Sequence, residues 1–335
     1  MNKPSVLVTG GAGYIGSHAV LALTDAGWPV VVIDDLSTGF RWAVPPDVPF
    51  FQGDIGDEPL LARIFKEQGT RAIMHFAGSV VVPESMTNPL KYYLNNTAKA
   101  RAVLAAAVAA DVPHVIFSST AATYGIPEVL PIAEDSPTMP INPYGTSKLM
   151  TEWMLADVAR AHPINYCALR YFNVAGADPL GRTGQSTAGA THLIKVAIEA
   201  ALGKRGHVDV FGDDYATFDG TGVRDYIHVS DLAAAHVLAL EALIAEPARS
   251  LTMNCGYGRG FSVTEVLDAV DLATGGRIER RMAPRRMGDP DSLIADNSLI
   301  RATLPWVPQY AELNLIVGHA LAWERKLSGM RGSSP

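Results

Sequence analysis

The sequence predicts an α/β protein: a doubly wound parallel sheet with a smaller α/β unit after it. Three observations carry this expectation. Short runs rich in Val, Ile and Phe recur at residues 6–8, 30–33, 72–76, 115–118 and 167–171, and stretches with helical apolar spacing separate them. The runs are continuously apolar, as in strands covered on both faces. Alternation of strand and helix then calls for parallel neighbours joined by right-handed crossovers, with helices on both sides of the sheet.

The turn after the first run reads Thr9-Gly10-Gly11-Ala12-Gly13-Tyr14-Ile15-Gly16-Ser17-His18 and opens an apolar helix. Glycines at 10 or 11, 13 and 16 allow a tight turn and a close backbone approach to a pyrophosphate. The helix start adds unpaired N–H groups in a favourable dipole. Between a strand and a helix this pattern is a dinucleotide fingerprint, so a Rossmann sheet is expected. The second run ends at Asp34, where a carboxylate accepts hydrogen bonds from adenosine ribose hydroxyls. Asp35 follows and no arginine comes next; two carboxylates repel a ribose phosphate, and NAD is expected over NADP.

The fourth run leads into Phe117-Ser118-Ser119-Thr120-Ala121-Ala122-Thr123-Tyr124-Gly125, at the carboxyl end of a strand and so on the ligand side of such a sheet. Thr120 is placed there to hydrogen-bond a substrate alcohol. In Asn142-Pro143-Tyr144-Gly145-Thr146-Ser147-Lys148, Asn142 suits a helix cap and Pro143 a first helical position. Tyr144 and Lys148 then share one helix face. Lowering a tyrosine from ~10 to about 7 takes roughly 4 kcal/mol of preference for the phenolate, which a nearby ammonium in a dry site and a cationic nicotinamide would supply. Such a phenolate takes a proton from an alcohol. Alone, Tyr-x-x-x-Lys describes any amphipathic helix; behind a glycine fingerprint it describes an acid/base pair.

Beyond about residue 173 glycine and proline become frequent, elements shorten, and no Pro/Ser-rich linker intervenes. The expected division is an NAD-binding Rossmann unit at 1–172 and a smaller α/β substrate unit at 173–335, some of whose segments return to the first sheet. With 335 residues and 48% hydrophobic content the chain can bury a sizeable core. A net charge of -7 and a pI near 5.7 argue against a nucleic-acid partner or an acidic membrane surface, so any anion site is local. Cys167 and Cys255 lie far apart in apolar stretches and read as core fillers in a reducing cytoplasm. No export signal is expected ahead of the first strand, and no apolar run is long enough for a membrane span. The nine histidines form no His-Glu-x-x-His or comparable cluster, and no metal is expected.

Further segments join these: His75-Phe76-Ala77-Gly78, Arg170-Tyr171-Phe172-Asn173, Asp219-Gly220-Thr221-Gly222-Val223-Arg224-Asp225-Tyr226-Ile227-His228 and Pro284-Arg285-Arg286-Met287-Gly288-Asp289. Together with residues 10–16, Ser119-Thr120, Tyr144 and Lys148, they resemble the UDP-glucose 4-epimerase family of extended short-chain dehydrogenases/reductases, over nearly the whole chain. The resemblance implies a retained NAD held by Gly10, Gly13, Tyr14, Ile15, Gly16, Asp34, Asp54, Ile55, Phe76, Ala77, Gly78, Asn95, Lys148 and Phe172. It implies UDP held by Asn173, His192, Leu193, Phe211, Arg224, Tyr226, Arg286 and Asp289, with Arg224 and Arg286 on the diphosphate, where planar guanidinium groups suit phosphate oxygens. The implied reaction interconverts UDP-glucose and UDP-galactose in galactose metabolism or in polysaccharide precursor supply. Tyr144, aided by Lys148 and Thr120, takes the carbon-four hydroxyl proton as hydride passes to the nicotinamide; the keto-sugar turns and receives both back on its other face. A homodimer is implied through helices at about 89–110 and 144–160, whose alanine-rich faces pair across a two-fold axis.

Several positions depart from the commonest family pattern. Thr120 stands where many relatives have Ser, Val80 where some place a Lys, and His192 where some have Asn. Leu293 falls where the size of the sugar's carbon-two substituent is limited, and it is smaller than the Tyr and larger than the Cys or Ser found there in relatives. UDP-N-acetylhexosamine, UDP-pentose and UDP-uronate therefore stand as alternative substrates. A sugar-nucleotide dehydratase needs an Asp-Glu pair after the strand-end Thr, where Ala121-Ala122 stand. An NAD-sensing protein would not need Thr120, Tyr144 and Lys148 together.

Overall fold

The computed structural model describes residues 3–286 and 289–332. Met287 and Gly288, part of the motif before Asp289, lie outside the described residues, as do 1–2 and 333–335. Strands in the first half are β1 (Ser5–Thr9), β2 (Val30–Asp34), β3 (Phe50–Gln52), β4 (Thr70–His75), β5 (His114–Thr120) and β6 (Asn165–Tyr171). Those that follow are β7 (Asn173–Ala175), β8 (Val208–Phe211), β9 (Val223–His228), β10 (Leu251–Cys255), β11 (Gly260–Ser262), β12 (Arg280–Ala283) and β13 (Ser292–Leu293).

A seven-stranded sheet in the order β10-β6-β5-β4-β1-β2-β3 forms the centre, with every pairing parallel. This is the doubly wound arrangement expected from the sequence. Every residue of β2 and β5 is buried, in keeping with the apolar runs at 30–33 and 115–117 within them. Alternate strand residues feed opposite layers: Val6, Val8, Val30, Val32 and Met74 pack under helices Tyr14–Asp25 and Val229–Ala245, and Leu7, Val31, Ile33, Ile73 and Phe117 under Glu58–Gln68, Lys99–Ala109 and Pro143–Ala161. Two members of the sheet were not among the expected runs. The three-residue β3 is too short to carry a period, and β10 arrives from the later, looser part of the chain to cover the edge of β6. Cys167 and Cys255 are free and buried in this core.

A smaller sheet joins β11, β9 and β13, with β7 also on β9, and β8 pairs with β12. Helices Leu193–Ala201, Val263–Thr274 and Leu313–Gly332 gather there around Ile198, Val210, Leu267 and Ile316. The helix expected over 89–110 differs from expectation. It runs Pro89–Tyr92, widens into a π turn over Tyr93–Ala98, and resumes as Lys99–Ala109. In that turn Asn96 is drawn inward and is 2% exposed, which accounts for the extra residue.

Candidate active site

In the strand order, β1 and β4 lie side by side while the chain proceeds outward from each in opposite directions, which opens a crevice at their carboxyl ends. The loops leaving both strands meet there through a glycine. Gly10 has φ +67, and a Cβ on it would sit 2.7 Å from the Ala77 backbone nitrogen. A Cβ on Gly16 would run into the Gly10 carbonyl. Helix Tyr14–Asp25 begins after Gly13 with no side chain capping it, so the Tyr14 and Ile15 turn presents bare N–H groups. Asp34 closes the cradle: Oδ2 accepts the Ala12 N–H at 2.9 Å and Oδ1 the Leu36 N–H at 2.8 Å. Burial raises its carboxyl above the usual range, against these two bonds. A side-chain-free cradle, an uncapped helix start and a carboxylate at the end of β2 fit a dinucleotide.

On the rim of this crevice, Asp54 accepts the Gly56 N–H at 2.8 Å and pairs with Lys99 at 2.7 Å, beside buried Ile55. Phe76, Ala77 and Gly78 follow β4. Asn95 donates from Nδ2 to Ser79 Oγ at 3.0 Å, while its neighbour Asn96 accepts the Ser79 N–H at 2.7 Å and donates to Ser147 Oγ at 3.0 Å. Asn96 thus ties the β4 loop to helix Pro143–Ala161, a role with no local sequence signal. Val80, next to Ser79 in the chain, is 54% exposed.

Helix Pro143–Ala161 starts as its sequence demands: Asn142 Oδ1 accepts the Gly145 N–H at 2.8 Å, with proline in the first turn. Tyr144 and Lys148 lie on its buried face at 8% and 3% exposure. Lys148 Nζ donates to the Ser118 carbonyl at 2.7 Å and stands 4.8 Å from the Phe117 ring centre. Thr120 accepts the Ala122 N–H at 3.1 Å and stands near enough to Tyr144 to draw its phenol down against burial. The structure therefore gathers Thr120, Tyr144 and Lys148 at the carboxyl end of β5. Their titration departs from the simple expectation. Burial pushes the Tyr144 phenol above its ordinary value despite Thr120, and burial lowers Lys148 to about 8 against the pull of Glu152. A phenolate near neutrality is not a property of the chain alone. Sequence reasoning also passed over Glu152, one turn beyond Lys148, which is 6% exposed and paired with buried Arg170 at 2.6 Å. Its four-residue step from Lys148 was the available signal.

The smaller sheet and the elements beside it carry the other candidates. Asn173 on β7 is opposite Tyr226 on β9, and Leu293 on β13 is opposite Arg224. Arg224 pairs with Asp289 at 2.6 Å, and the Arg286 guanidinium lies 3.9 Å from the Phe211 ring centre. His192 precedes helix Leu193–Ala201, and with Tyr14, Asn173, Leu193 and Tyr226 it lines a half-open cavity. Leu293 and Phe172 pack on Ala121, Tyr124 and Ile132, just past Thr120. Among the described residues no group of three or more His, Cys, Asp or Glu side chains is placed to hold a metal ion, and no helix is long and apolar enough to cross a membrane.

Known proteins resemble this chain along its whole length. Residues 6–256 match the model of the NAD dependent epimerase/dehydratase family. A UDP-glucose 4-epimerase of Azospirillum brasilense is 57% identical over 332 residues, covering 99% of this chain and 95% of that protein. Among solved structures, the UDP-glucose 4-epimerase from Brucella ovis in complex with NAD superposes with a TM-score of 0.92 at 45% identity, covering 95% of this chain and 98% of that one. The enzyme from Bifidobacterium longum, in complex with NAD+ and UDP, gives 0.90 at 38% identity over 96% and 98%.

Proposed function

Because the chain belongs to the NAD dependent epimerase/dehydratase family, we infer that it interconverts UDP-glucose and UDP-galactose by oxidation and reduction at carbon four of the hexose, through a 4-keto intermediate. The observation that carries the mechanism is the burial of Tyr144 and Lys148 against Thr120, beside the glycine cradle. NAD, when bound in that cradle, supplies the reversible hydride acceptor. Tyr144 takes the carbon-four hydroxyl proton and returns it, and Thr120 orients the hydroxyl. The Lys148 ammonium, with the charge of the bound nicotinamide, favours the phenolate that burial alone disfavours.

Inversion needs a sugar that turns without leaving. Arg224 and Arg286 hold the diphosphate, Asn173, His192, Leu193, Phe211, Tyr226 and Asp289 the rest of UDP, and the hexose meets mainly apolar Leu293. Firm contacts to UDP and few to the hexose satisfy that need. In this reading residues 1–172 serve NAD and 173–335 the UDP-sugar, and β10 and helix Val229–Ala245, which pack on the first sheet, support that division with the return of later segments to the first unit. A cytoplasmic homodimer is the expected state: Leu90, Leu94 and Trp153 are 78%, 55% and 55% exposed on two helical segments that pack side by side.

The decisive assay incubates the purified protein with UDP-galactose, without added NAD, and follows UDP-glucose with a coupled dehydrogenase. Product is expected; none, even with NAD supplied, sinks this function.

A further inference from the structure

The buried stripe that bears Tyr144 and Lys148 continues to Glu152, and each of these three side chains meets one residue at the end of β5. Lys148 Nζ donates to the Ser118 carbonyl at 2.7 Å, Glu152 Oε1 accepts the Ser119 hydroxyl at 2.5 Å, and Thr120 stands near enough to Tyr144 to draw its phenol down against burial. Arg170 on β6 holds the Glu152 carboxylate from the far side, with Nε 3.0 Å from Oε1 and Nη2 2.6 Å from Oε2. Arg170 in turn donates to the Glu134 carbonyl at 3.3 Å and lies 4.8 Å from the Tyr124 ring centre. The pair is sealed, with side-chain exposures of 8% and 6%.

A buried ion pair is weak evidence for stability, because well-packed apolar groups of the same volume commonly serve as well. This one has a job that apolar groups cannot do. Two successive turns of one helix are locked to two successive residues of one strand, Ser118 and Ser119, and slippage by a fraction of an ångström would shift the Tyr144 phenol relative to Thr120. Beside Lys148 stand Glu152, one turn on along its own helix, His75 from β4, and Phe117 and Ser118 from β5; Arg170 of β6 reaches this set through Glu152, and Tyr171 of β6 through the Ser118 hydroxyl. His75 is lowered to about 3 by burial and is neutral, and burial also raises Tyr171, so Glu152 is the anion of this set and Arg170 the second cation.

We propose that Glu152, gripped by Arg170, is a positioning residue for proton transfer: it sets the register of the Tyr144 helix against the end of β5 and faces the Lys148 ammonium with negative charge. The proposal rests on the epimerase function inferred above.

The test uses the full chain with its bound NAD, recording NAD content, KM for UDP-galactose and kcat against pH. Glu152→Gln keeps the side chain's shape and removes its charge. It is expected to keep NAD and to leave KM within about twofold, while kcat falls about tenfold and its alkaline limb moves about one pH unit lower, as Lys148 loses its proton earlier. Ser119→Ala removes one bond and leaves the ion pair intact; it should lower kcat with KM, NAD content and the alkaline limb unchanged. Wild-type kcat and limb in Glu152→Gln overturn the proposal. Should Glu152→Gln yield no folded holoenzyme, Ser119→Ala decides alone: an undiminished kcat overturns the proposal, and a lowered kcat at constant KM upholds it. An inactive unsubstituted chain strikes at the inferred function, whereas an active one matched by Glu152→Gln strikes only at Glu152.

Discussion

Tyr144 is a phenol that its own surroundings keep protonated: burial raises it, and Thr120 only partly offsets that. In the proposed reaction its work as a base rests on charge that arrives with the nicotinamide, added to that of Lys148. Tyr144→Phe preserves the ring and removes the proton carrier. Turnover of UDP-galactose is expected to fall by about 10²–10⁴, the range typical for a lost acid/base group, with bound NAD and KM little changed; undiminished kcat would mean the proton moves elsewhere. Thr120, Tyr144 and Lys148 were legible as a group because two of them sit four residues apart and the third ends a buried run. Arg170 and Asn96 were not, since their partners Glu152, Ser79 and Ser147 lie on other elements and leave no mark on neighbouring residues.

At the scale of elements, the Asn142 cap shows how little context a helix start needs. Its side chain accepts the Gly145 N–H one residue past Tyr144, so losing it frays the turn that carries the phenol. Asn142→Ala should lower unfolding stability by about 1 kcal/mol, read as a fall in denaturant midpoint at constant m-value. An unchanged midpoint would mean the turn is held by packing alone. The π turn at Tyr93–Ala98 is the opposite case. Residues 89–110 carry helical spacing throughout, and the widened turn exists because Asn96 is satisfied by Ser79 and Ser147 from distant segments. Likewise β3 and β10 become strands through neighbours that supply hydrogen bonds, their own runs being short.

For the whole molecule, buried histidines set the response to acid. His18, His75, His228 and His236 are each buried, and desolvation lowers them to about 4, 3, 3 and 4. Their stabilising effect is complete above the unfolded value of 6.5 and is lost as pH falls toward the folded values, because only the unfolded chain then takes up protons. Each costs up to roughly 1.4 kcal/mol of stability per pH unit below that point. Asp225, raised by burial to about 6, works in the opposite sense, as do the raised carboxyls of Asp34 and Glu134, while His114, His192 and His319 are also lowered by burial and add to the four. The denaturation midpoint should therefore drop between about pH 7 and 5.5, and a level or rising midpoint would refute this balance. Trp153→Glu, which places a charge on the exposed face, should convert a dimer to monomers by light scattering without loss of NAD; an unaltered mass would put the interface elsewhere. By itself the sequence determined the sheet's parallel character, the dinucleotide turn and the Tyr144/Lys148 face, since each depends on spacing within a few residues. Only the tertiary structure decided which distant groups press on those residues. Depth of burial, the Glu152–Arg170 clamp and the raised phenol come from packing between elements far apart in the chain, where desolvation and long-range hydrogen bonds act without any local signature.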